Sequence, residues 1–191
     1  FIDRGFWGEN TVSGDSNKYF RLSADINLSA YDGACPETTF NSIKSFSGNF
    51  NGNGRTISNL VVPKYRFYQS GLFGTLGYNA SVYNLTISNA TIHPATGYSG
   101  ILAGATSTVT LTNITVSGSV SGGSYVGGML GSAQGTLSNL TSSATVNGWT
   151  NTGGLIGSLA SSASLTKGVA TGSVTGSSRI GGLIGQAGYG S

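Results

Sequence analysis

The sequence predicts an all-β protein, a parallel β-helix (β-solenoid), and three observations support this prediction. A Gly-rich apolar pentapeptide recurs, for example as Gly153-Gly154-Leu155-Ile156-Gly157 and as Gly181-Gly182-Leu183-Ile184-Gly185. Between the copies, polar and apolar residues alternate as they do in strands, and no window shows helical periodicity. The intervals between closing glycines are 30, 27, 26 and 28 residues, and a near-constant period in this range is typical of solenoids. Those closing glycines are Gly74, Gly104, Gly131, Gly157 and Gly185.

The composition suits a β-rich protein with an uncharged polar surface. Charged residues make up 8% of the 191 residues, hydrophobic residues make up 38%, and 32 residues are glycine. A typical soluble domain has about 25% charged residues. The cations behind the net charge of +3 are scattered and no nucleic-acid motif occurs, so nucleic acid is not a predicted partner. No apolar run is long enough to span a membrane, which predicts no membrane insertion in this segment.

The chain divides into two predicted regions. Residues 1–20 hold three acids and several aromatic side chains, and we expect an N-terminal cap there because the open end of a solenoid exposes its core and a strand edge. Residues 21–191 are predicted to form the solenoid repeats of a single domain. Helix is expected to be limited to one turn, in the first twenty residues or in 61–68. The start at Phe1, without an initiator Met, predicts a mature product or a fragment.

Each coil is expected to combine the glycine pentapeptide with one longer strand. Paired glycines allow one coil to approach the next closely, or adopt a positive φ at a corner. Asparagines recur at one position of these strands, and such residues can stack from coil to coil as an amide ladder. Lys167 takes the same position in the last strand. The predicted strands are Ser81–Ile92, Val109–Val120, Leu137–Val146 and Leu165–Val174, and the ladder residues are Asn84, Asn113 and Asn139.

These motifs resemble the GLUG-motif repeat proteins of bacterial surfaces. The pentapeptide matches the Gly-Gly-Leu-hydrophobic-Gly signature, and two upstream blocks, 19–28 and 46–60, resemble the strands that precede it in that family. The likeness covers residues 18–190, with Asn51 where the family often has Asp and Arg55 where it often has His. The resemblance implies a right-handed parallel β-helix in an exported or surface-anchored protein. The relatives it implies are adhesin-like proteins and non-catalytic regions of surface peptidases.

An enzymatic function is disfavoured by the distribution of acids. A glycosidase needs two carboxylates across the scissile bond, yet no Asp or Glu follows Glu37. A pair such as Asp25 and Asp32 is conceivable near the cap, although capping and turn roles fit these residues better. His93, the single histidine, precedes a proline and is predicted to lie at the surface without an orienting acid. With Cys35 as the single cysteine, no metal site is predicted, and no cofactor is expected.

Two further surface roles follow from polar residues. Thr108-Val109-Thr110-Leu111-Thr112 presents alternating threonines, as a flat ice-binding face would. The hydroxyl residues of the neighbouring coils, such as Ser138, Thr141 and Thr166, look out of step, which disfavours ice binding. Six Asn-x-Ser/Thr acceptors occur, three of them on the ladder position. Asn79, in a loop, is the best glycosylation candidate.

The sequence therefore predicts a non-enzymatic, extracellular or cell-surface β-solenoid that acts as an adhesive or structural rod. The first alternative is a subunit that assembles with itself end to end into a filament or surface layer, and a carbohydrate-active enzyme is the second. Its other expected partners are glycans or proteins at a cell surface. Binding residues are predicted where the repeat is broken, because cations and aromatic rings suit such contacts. These candidates are Lys64, Tyr65, Arg66, Tyr68, Tyr125 and Trp149.

Overall fold

The computed structural model describes residues 18–31, 40–63, 68–93 and 96–188. All regular structure within these ranges is β-strand. The strands are β1 (Tyr19–Arg21), β2 (Ile26–Asn27), β3 (Ile43–Phe46), β4 (Asn49–Ser58), β5 (Val61–Val62), β6 (Gln69–Ser70), β7 (Phe73–Leu76), β8 (Ser81–Ile92), β9 (Tyr98–Ser99), β10 (Ala103–Ser121), β11 (Tyr125–Gly127), β12 (Leu130–Ser142), β13 (Thr145–Asn147), β14 (Thr150–Gly153), β15 (Ile156–Leu159), β16 (Ser164–Ala170), β17 (Val174–Thr175), β18 (Ser178–Gly181) and β19 (Ile184–Ala187).

The predicted parallel β-solenoid is confirmed by the strand pairing. A 14-stranded sheet follows the order β1-β4-β8-β10-β12-β15-β19 along its main path, and a 5-stranded sheet follows the order β18-β14-β11-β9-β6. Every pair joins one coil to the next in parallel; Leu111, for example, lies opposite Val82 on one side and Leu137 on the other. Parallel strands lie about 4.8 Å apart, so roughly six coils form a short rod. The right hand of the coil stays a prediction.

The inward residues of successive coils form one continuous hydrophobic core. Leu85, Ile114 and Leu140 occupy one such column, and each is at most 2% exposed. Phenylalanines dominate the core of the earlier coils, where the ring centroids of Phe46 and Phe73 lie 5.2 Å apart. Later coils use aliphatic side chains at the same depth. Because each coil covers the inward face of its neighbour, the core depends on repetition rather than on a closed barrel.

The glycine pentapeptides form a corner between the two sheets. A Cβ atom at Gly157 would lie 2.6 Å from the carbonyl oxygen of Gly131 in the preceding coil, a distance that side-chain carbons do not tolerate. Among the described residues, the glycines with positive φ are Gly54, Gly97, Gly118 and Gly135, none of which closes a pentapeptide. The paired glycines are therefore explained by the close approach of neighbouring backbones and not by positive φ. Positive φ is instead adopted by asparagines elsewhere in the coil.

Two boundaries differ from the predicted ones. Strand β1 runs across the predicted limit between a cap and the repeats at residues 20 and 21, because Phe20 already pairs with Phe50 of the next coil. Residues 1–17 of the predicted cap lie outside the described residues. The predicted helical turn in 61–68 is replaced at its start by strand β5, which pairs with β8. Of the four predicted strands, Ser81–Ile92 coincides with β8.

Candidate functional site

Three tyrosines from successive coils contact one another on the outer side of the smaller sheet. Tyr68 immediately precedes β6, while Tyr98 and Tyr125 begin β9 and β11. The rings of Tyr98 and Tyr125 are stacked, with centroids 4.5 Å apart and planes at 12°. Tyr68 meets Tyr98 edge-on at 5.5 Å and 76°. We call these three residues the aromatic column; Tyr68 and Tyr125 were predicted as binding residues, and Tyr98 was missed.

The register of the smaller sheet produces the aromatic column. Tyr98 lies opposite Gln69 and Tyr125 lies opposite Tyr98, so the last two rings fall directly above one another. Gly97 leaves room for the ring of Tyr68, since a Cβ atom at Gly97 would approach the Cδ2 atom of Tyr68 to 2.8 Å. One face of Tyr98 is therefore covered by Tyr125, and Tyr68 contacts Tyr98 from the preceding coil at a steep angle.

The electrostatics of the column favour the neutral phenol at its centre. Burial raises the pKa of Tyr98 above its usual range, and the neighbouring Tyr125 and Tyr68 raise it further. Both causes act in the same direction, because a phenolate would be poorly hydrated and would repel any other phenolate beside it. The raised pKa therefore keeps the central hydroxyl group, that of Tyr98, uncharged at neutral pH.

Trp149 extends the aromatic surface by one coil without joining the stack. Its backbone N–H donates to the carbonyl oxygen of Gly123, and it precedes by two residues Asn151, which takes the column's position in this coil. The side chain is 60% exposed, compared with 62% for Tyr68. Three coil steps separate these two residues, about 14 Å along the rod. Among the described aromatic residues beside the smaller sheet, these two are the most exposed.

Three of the predicted binding residues, Lys64, Tyr65 and Arg66, lie outside the described residues. Their predicted neighbour Tyr68 is the first residue that the structure describes after them. The described part of the predicted binding surface consists of Tyr68, Tyr125 and Trp149, which lie in the coils of β6, β11 and β14.

The predicted amide ladder is present and exposed. Asn113 Nδ2 donates to Asn84 Oδ1 at 3.1 Å, and Asn139 Nδ2 donates to Asn113 Oδ1 at 2.6 Å. All three asparagines have φ between 52° and 55°, a left-handed conformation that Asn adopts more readily than most residues. Lys167 continues the position with φ 55° but cannot continue the amide chain. The ladder thus forms at a bend in the strand.

A second amide ladder was not predicted. Asn59 Nδ2 donates to Asn27 Oδ1 at 2.8 Å, and Asn89 Nδ2 donates to Asn59 Oδ1 at 2.6 Å. This ladder ends at Asn89 on β8, the same strand on which the predicted ladder begins at Asn84. Its asparagines are 32 and 30 residues apart, intervals close to those of the glycine repeat. The interval alone could have revealed it.

The glycosylation candidate Asn79 stands apart from both ladders. It is exposed, lies in the turn between β7 and β8 and has φ 61°. Among the other Asn-x-Ser/Thr acceptors, Asn89, Asn113 and Asn139 donate their side-chain amide in a ladder. In those three residues, the amide nitrogen that would carry a glycan is thus already hydrogen-bonded to an asparagine of the neighbouring coil.

The chemistry of the described residues offers little for catalysis. His93 is exposed, as predicted, and its Nδ1 lies 3.0 Å from Ser121 Oγ. A serine–histidine pair needs a third group to orient the imidazole, and no described acid is hydrogen-bonded to it. Within the same ranges there is no group of three or more His, Cys, Asp or Glu residues that could hold a metal ion. No described helix is long and apolar enough to cross a membrane.

The prediction that the hydroxyl residues fall out of step is wrong. Thr110 lies opposite Thr136, and Thr136 lies opposite Ser164. A second column runs through Thr112, Ser138 and Thr166, and a third through Thr115 and Thr141. Each residue of the second column directly precedes the residue at the strand bend. When the sequences of the coils are aligned on their bend residues, the hydroxyl residues of neighbouring coils are therefore in register.

Comparison with known proteins supports the fold and yields one sequence relative. The chain is 42% identical over 187 residues to halomucin of Haloquadratum walsbyi, which covers 93% of this chain and 2% of halomucin. Its fold is similar to the crystal structure of a candidate immunoglobulin A1 protease from Bacteroides ovatus. That similarity has a TM-score of 0.66 at 21% identity and covers 91% of this chain and 56% of the other. No protein-family model matches the sequence.

Proposed function

We propose that this chain is a non-enzymatic structural module of an extracellular or cell-surface protein, and that it makes adhesive contacts through exposed aromatic rings. The observation that carries the proposal is the uninterrupted stacking of coils, in which every strand pair joins neighbouring coils in parallel. Such a solenoid is built as a rod whose length grows with the number of coils. The similarity to halomucin, of which this chain spans about 2%, supports a role as one segment of a larger protein.

The absence of acids from most of the sequence supports a non-enzymatic role. No Asp or Glu follows Glu37, so the coils that form most of the rod provide no carboxylate for acid–base chemistry. The candidate protease from Bacteroides ovatus shares the fold at 21% identity, and a fold by itself does not carry an activity. A peptidase function is therefore not proposed for this chain.

Trp149 and Tyr68 are the proposed contact residues for glycans. Each presents a ring that is about 60% exposed, and aromatic rings bind ligands that have one apolar and one polar face. Their separation of about 14 Å allows one extended oligosaccharide to touch both. The hydroxyl groups of the aromatic column lie between them and can donate or accept hydrogen bonds.

A glycan array tests this adhesive role. Labelled protein is expected to bind a subset of glycans, and both Trp149→Ala and Tyr68→Ala should reduce that binding. Tyr78→Ala is the matched control, because Tyr78 is 67% exposed but lies away from the smaller sheet. Equal loss in all three variants, or no binding by the unaltered protein, would contradict the proposal. Labelling of intact source cells with antibodies against the solenoid tests the surface location independently.

End-to-end assembly is a second candidate function. It is supported by Ile180, whose position is buried in the preceding coils but exposed in the last one. Ile180 lies opposite Thr152, which in turn lies opposite Val126. The side chains of Val126 and Thr152 are fully buried, whereas Ile180 is 48% exposed. A further coil, from the same protein or from a second copy, would cover Ile180. Sedimentation across a concentration series tests the second copy: Ile180→Lys should abolish any oligomer, and a concentration-independent monomer would contradict assembly.

A further inference from the structure

We propose that the outward hydroxyl face of the solenoid binds ice. This face consists of two adjacent columns on strands β10, β12 and β16, and it lies on the larger sheet rather than beside the aromatic column. Both columns continue through three coils in unbroken register. The residues of the hydroxyl face are Thr110, Thr112, Thr136, Ser138, Ser164 and Thr166.

The first column offers hydroxyl groups that are free to bind water. Thr110, Thr136 and Ser164 are all exposed, and none of their hydroxyls has a hydrogen-bond partner within the described part of the chain. In the second column, the hydroxyls of Thr112 and Ser138 lie 3.1 Å apart and bond to each other. The first column therefore offers both donors and acceptors to water, whereas the hydroxyls of the second column keep acceptor lone pairs for water and also fix the alignment of neighbouring coils.

The spacing of the hydroxyl face matches that of ice in two directions. Tetrahedral water with hydrogen bonds of about 2.8 Å places second-neighbour oxygens about 4.5 Å apart, and puckered layers of such water repeat every 7.4 Å or so. Parallel strands lie about 4.8 Å apart, and alternate residues of one strand are about 6.6 Å apart. The difference is about 0.3 Å along the rod and below about 1 Å across it, within reach of side-chain rotation.

The chemistry of the hydroxyl face favours ice over a sugar chain or a protein. None of its six residues carries a charge or a ring, so it lacks the groups that commonly hold glycans and proteins. Its pattern repeats in two directions, which suits a lattice rather than a single extended polymer. The strand bends at Asn113 and Asn139 mark one border of the face, and Gln134, which donates to Ser162 Oγ at 3.0 Å, lies at the other.

Incorporation into ice is the direct test. Fluorescently labelled protein is frozen slowly onto a cold probe, and the fraction that enters the growing ice is compared with the fraction left in solution. The unaltered chain should enter the ice and inhibit its recrystallisation. Thr136→Lys, in the middle of the first column, should lower incorporation to the level of a non-binding protein. A charged side chain there displaces the ordered water that must match the lattice.

Thr115→Lys is the matched control for this test. Thr115 is also an exposed threonine of the larger sheet with a threonine opposite, but it lies beyond the bend at Asn113. Thr115→Lys should enter ice as well as the unaltered chain, and thermal unfolding verifies that both variants fold. Exclusion of the unaltered protein from ice, or equal loss in both variants, overturns the proposal. Retention on insoluble cellulose that is lost in Thr136→Lys would assign the face to a polysaccharide and overturn it too.

Discussion

The glycine corner and the asparagine bend both recur in the solenoid coils, but for different physical reasons. At the corner, backbones of neighbouring coils are so close that Cβ atoms do not fit, as at Gly157 against Gly131. At the bend, the side chain is open to solvent and the main constraint is the backbone conformation: Asn113 adopts φ 55°, and its amide adds hydrogen bonds to the asparagines of both neighbouring coils. Recurrence in the sequence thus reports contact between coils in one place and backbone conformation in the other.

This difference predicts how each position responds to substitution. A corner glycine should tolerate no side chain wherever another coil covers it, irrespective of backbone conformation. A bend asparagine should tolerate glycine better than alanine, because glycine adopts positive φ without strain. Variants at the two positions therefore separate a steric requirement from a conformational one.

The largest expected effect comes from adding one methyl group at the corner. In Gly154→Ala, the new Cβ would clash with the carbonyl oxygen of Gly182 and lie 2.9 Å from the Cβ of Ala170. We expect the free energy of unfolding to fall by about 3 kcal/mol, the upper end for overpacking in a core. Denaturation by urea, followed by circular dichroism, measures the change.

Gly182→Ala is the control, since Gly182 occupies the same position of the next pentapeptide. A Cβ atom there has no atom within 4 Å, so stability should change by less than about 0.5 kcal/mol. If Gly154→Ala and Gly182→Ala have equal effects, contact between coils is not the reason for these glycines.

A smaller loss is expected at the asparagine bend. Asn113→Ala removes two ladder hydrogen bonds and leaves a residue that tolerates the left-handed conformation poorly, at a cost of about 2 kcal/mol in total. Asn113→Gly removes the same bonds but permits the conformation, so about half that loss is expected. Urea denaturation of both variants separates the two contributions. An alanine variant as stable as the glycine variant would show that the conformation at this bend does not matter.

The sequence predicted the fold well because the repeat is visible in single residues. The glycine intervals fixed the coil length, and the alternation in 81–92 located β8 to the residue. The aromatic column was only partly predicted, although Tyr68, Tyr98 and Tyr125 follow one another at intervals of 30 and 27 residues. Tyr98 does not interrupt a turn, so a search for breaks in the repeat does not find it. The regular interval between the three tyrosines, and not a local break in the repeat, predicts the aromatic column.

The hydroxyl columns were misjudged for a different reason. The hydroxyl residues look irregular because serine and threonine are common at many surface positions of this chain. Counted from the ladder position, which Asn113, Asn139 and Lys167 share, Thr112, Ser138 and Thr166 are in step. The left-handed conformation of the three ladder residues fixes this register. Irregularities such as the register shift between Ala105 and Thr108 cannot be derived from composition alone. Such register shifts change the number of residues between the glycine corner and the asparagine bend of a coil.

A modest gain is expected from completing the ladder. Lys167 has the left-handed conformation of the asparagines before it, and Asn139 Oδ1 accepts no hydrogen bond from another described side chain. In Lys167→Asn, the new Nδ2 could donate to Asn139 Oδ1, and the conformation would be less strained. We expect stability to rise by about 0.5 kcal/mol. Lys167→Gln removes the charge without the conformational advantage, so a similar gain in that variant would attribute the effect to charge.

The smallest change in stability is expected in the aromatic column, where neighbouring coils are in contact through tyrosine rings. The pKa of Tyr98 is raised in the folded protein, by burial first and then by Tyr125 and Tyr68. A raised pKa means that the folded state holds the phenolic proton more tightly than the unfolded state. The resulting stabilisation is complete below the unfolded pKa of about 10. It is lost as the pH rises through the folded pKa.

Tyr98→Phe keeps the ring and removes the ionisable group, so its unfolding midpoint should fall less steeply between pH 9 and pH 11, a window around that value. Parallel pH profiles for Tyr98→Phe and the unaltered protein would show that the ionisation of Tyr98 is not coupled to folding, and that the column is held by ring contact alone.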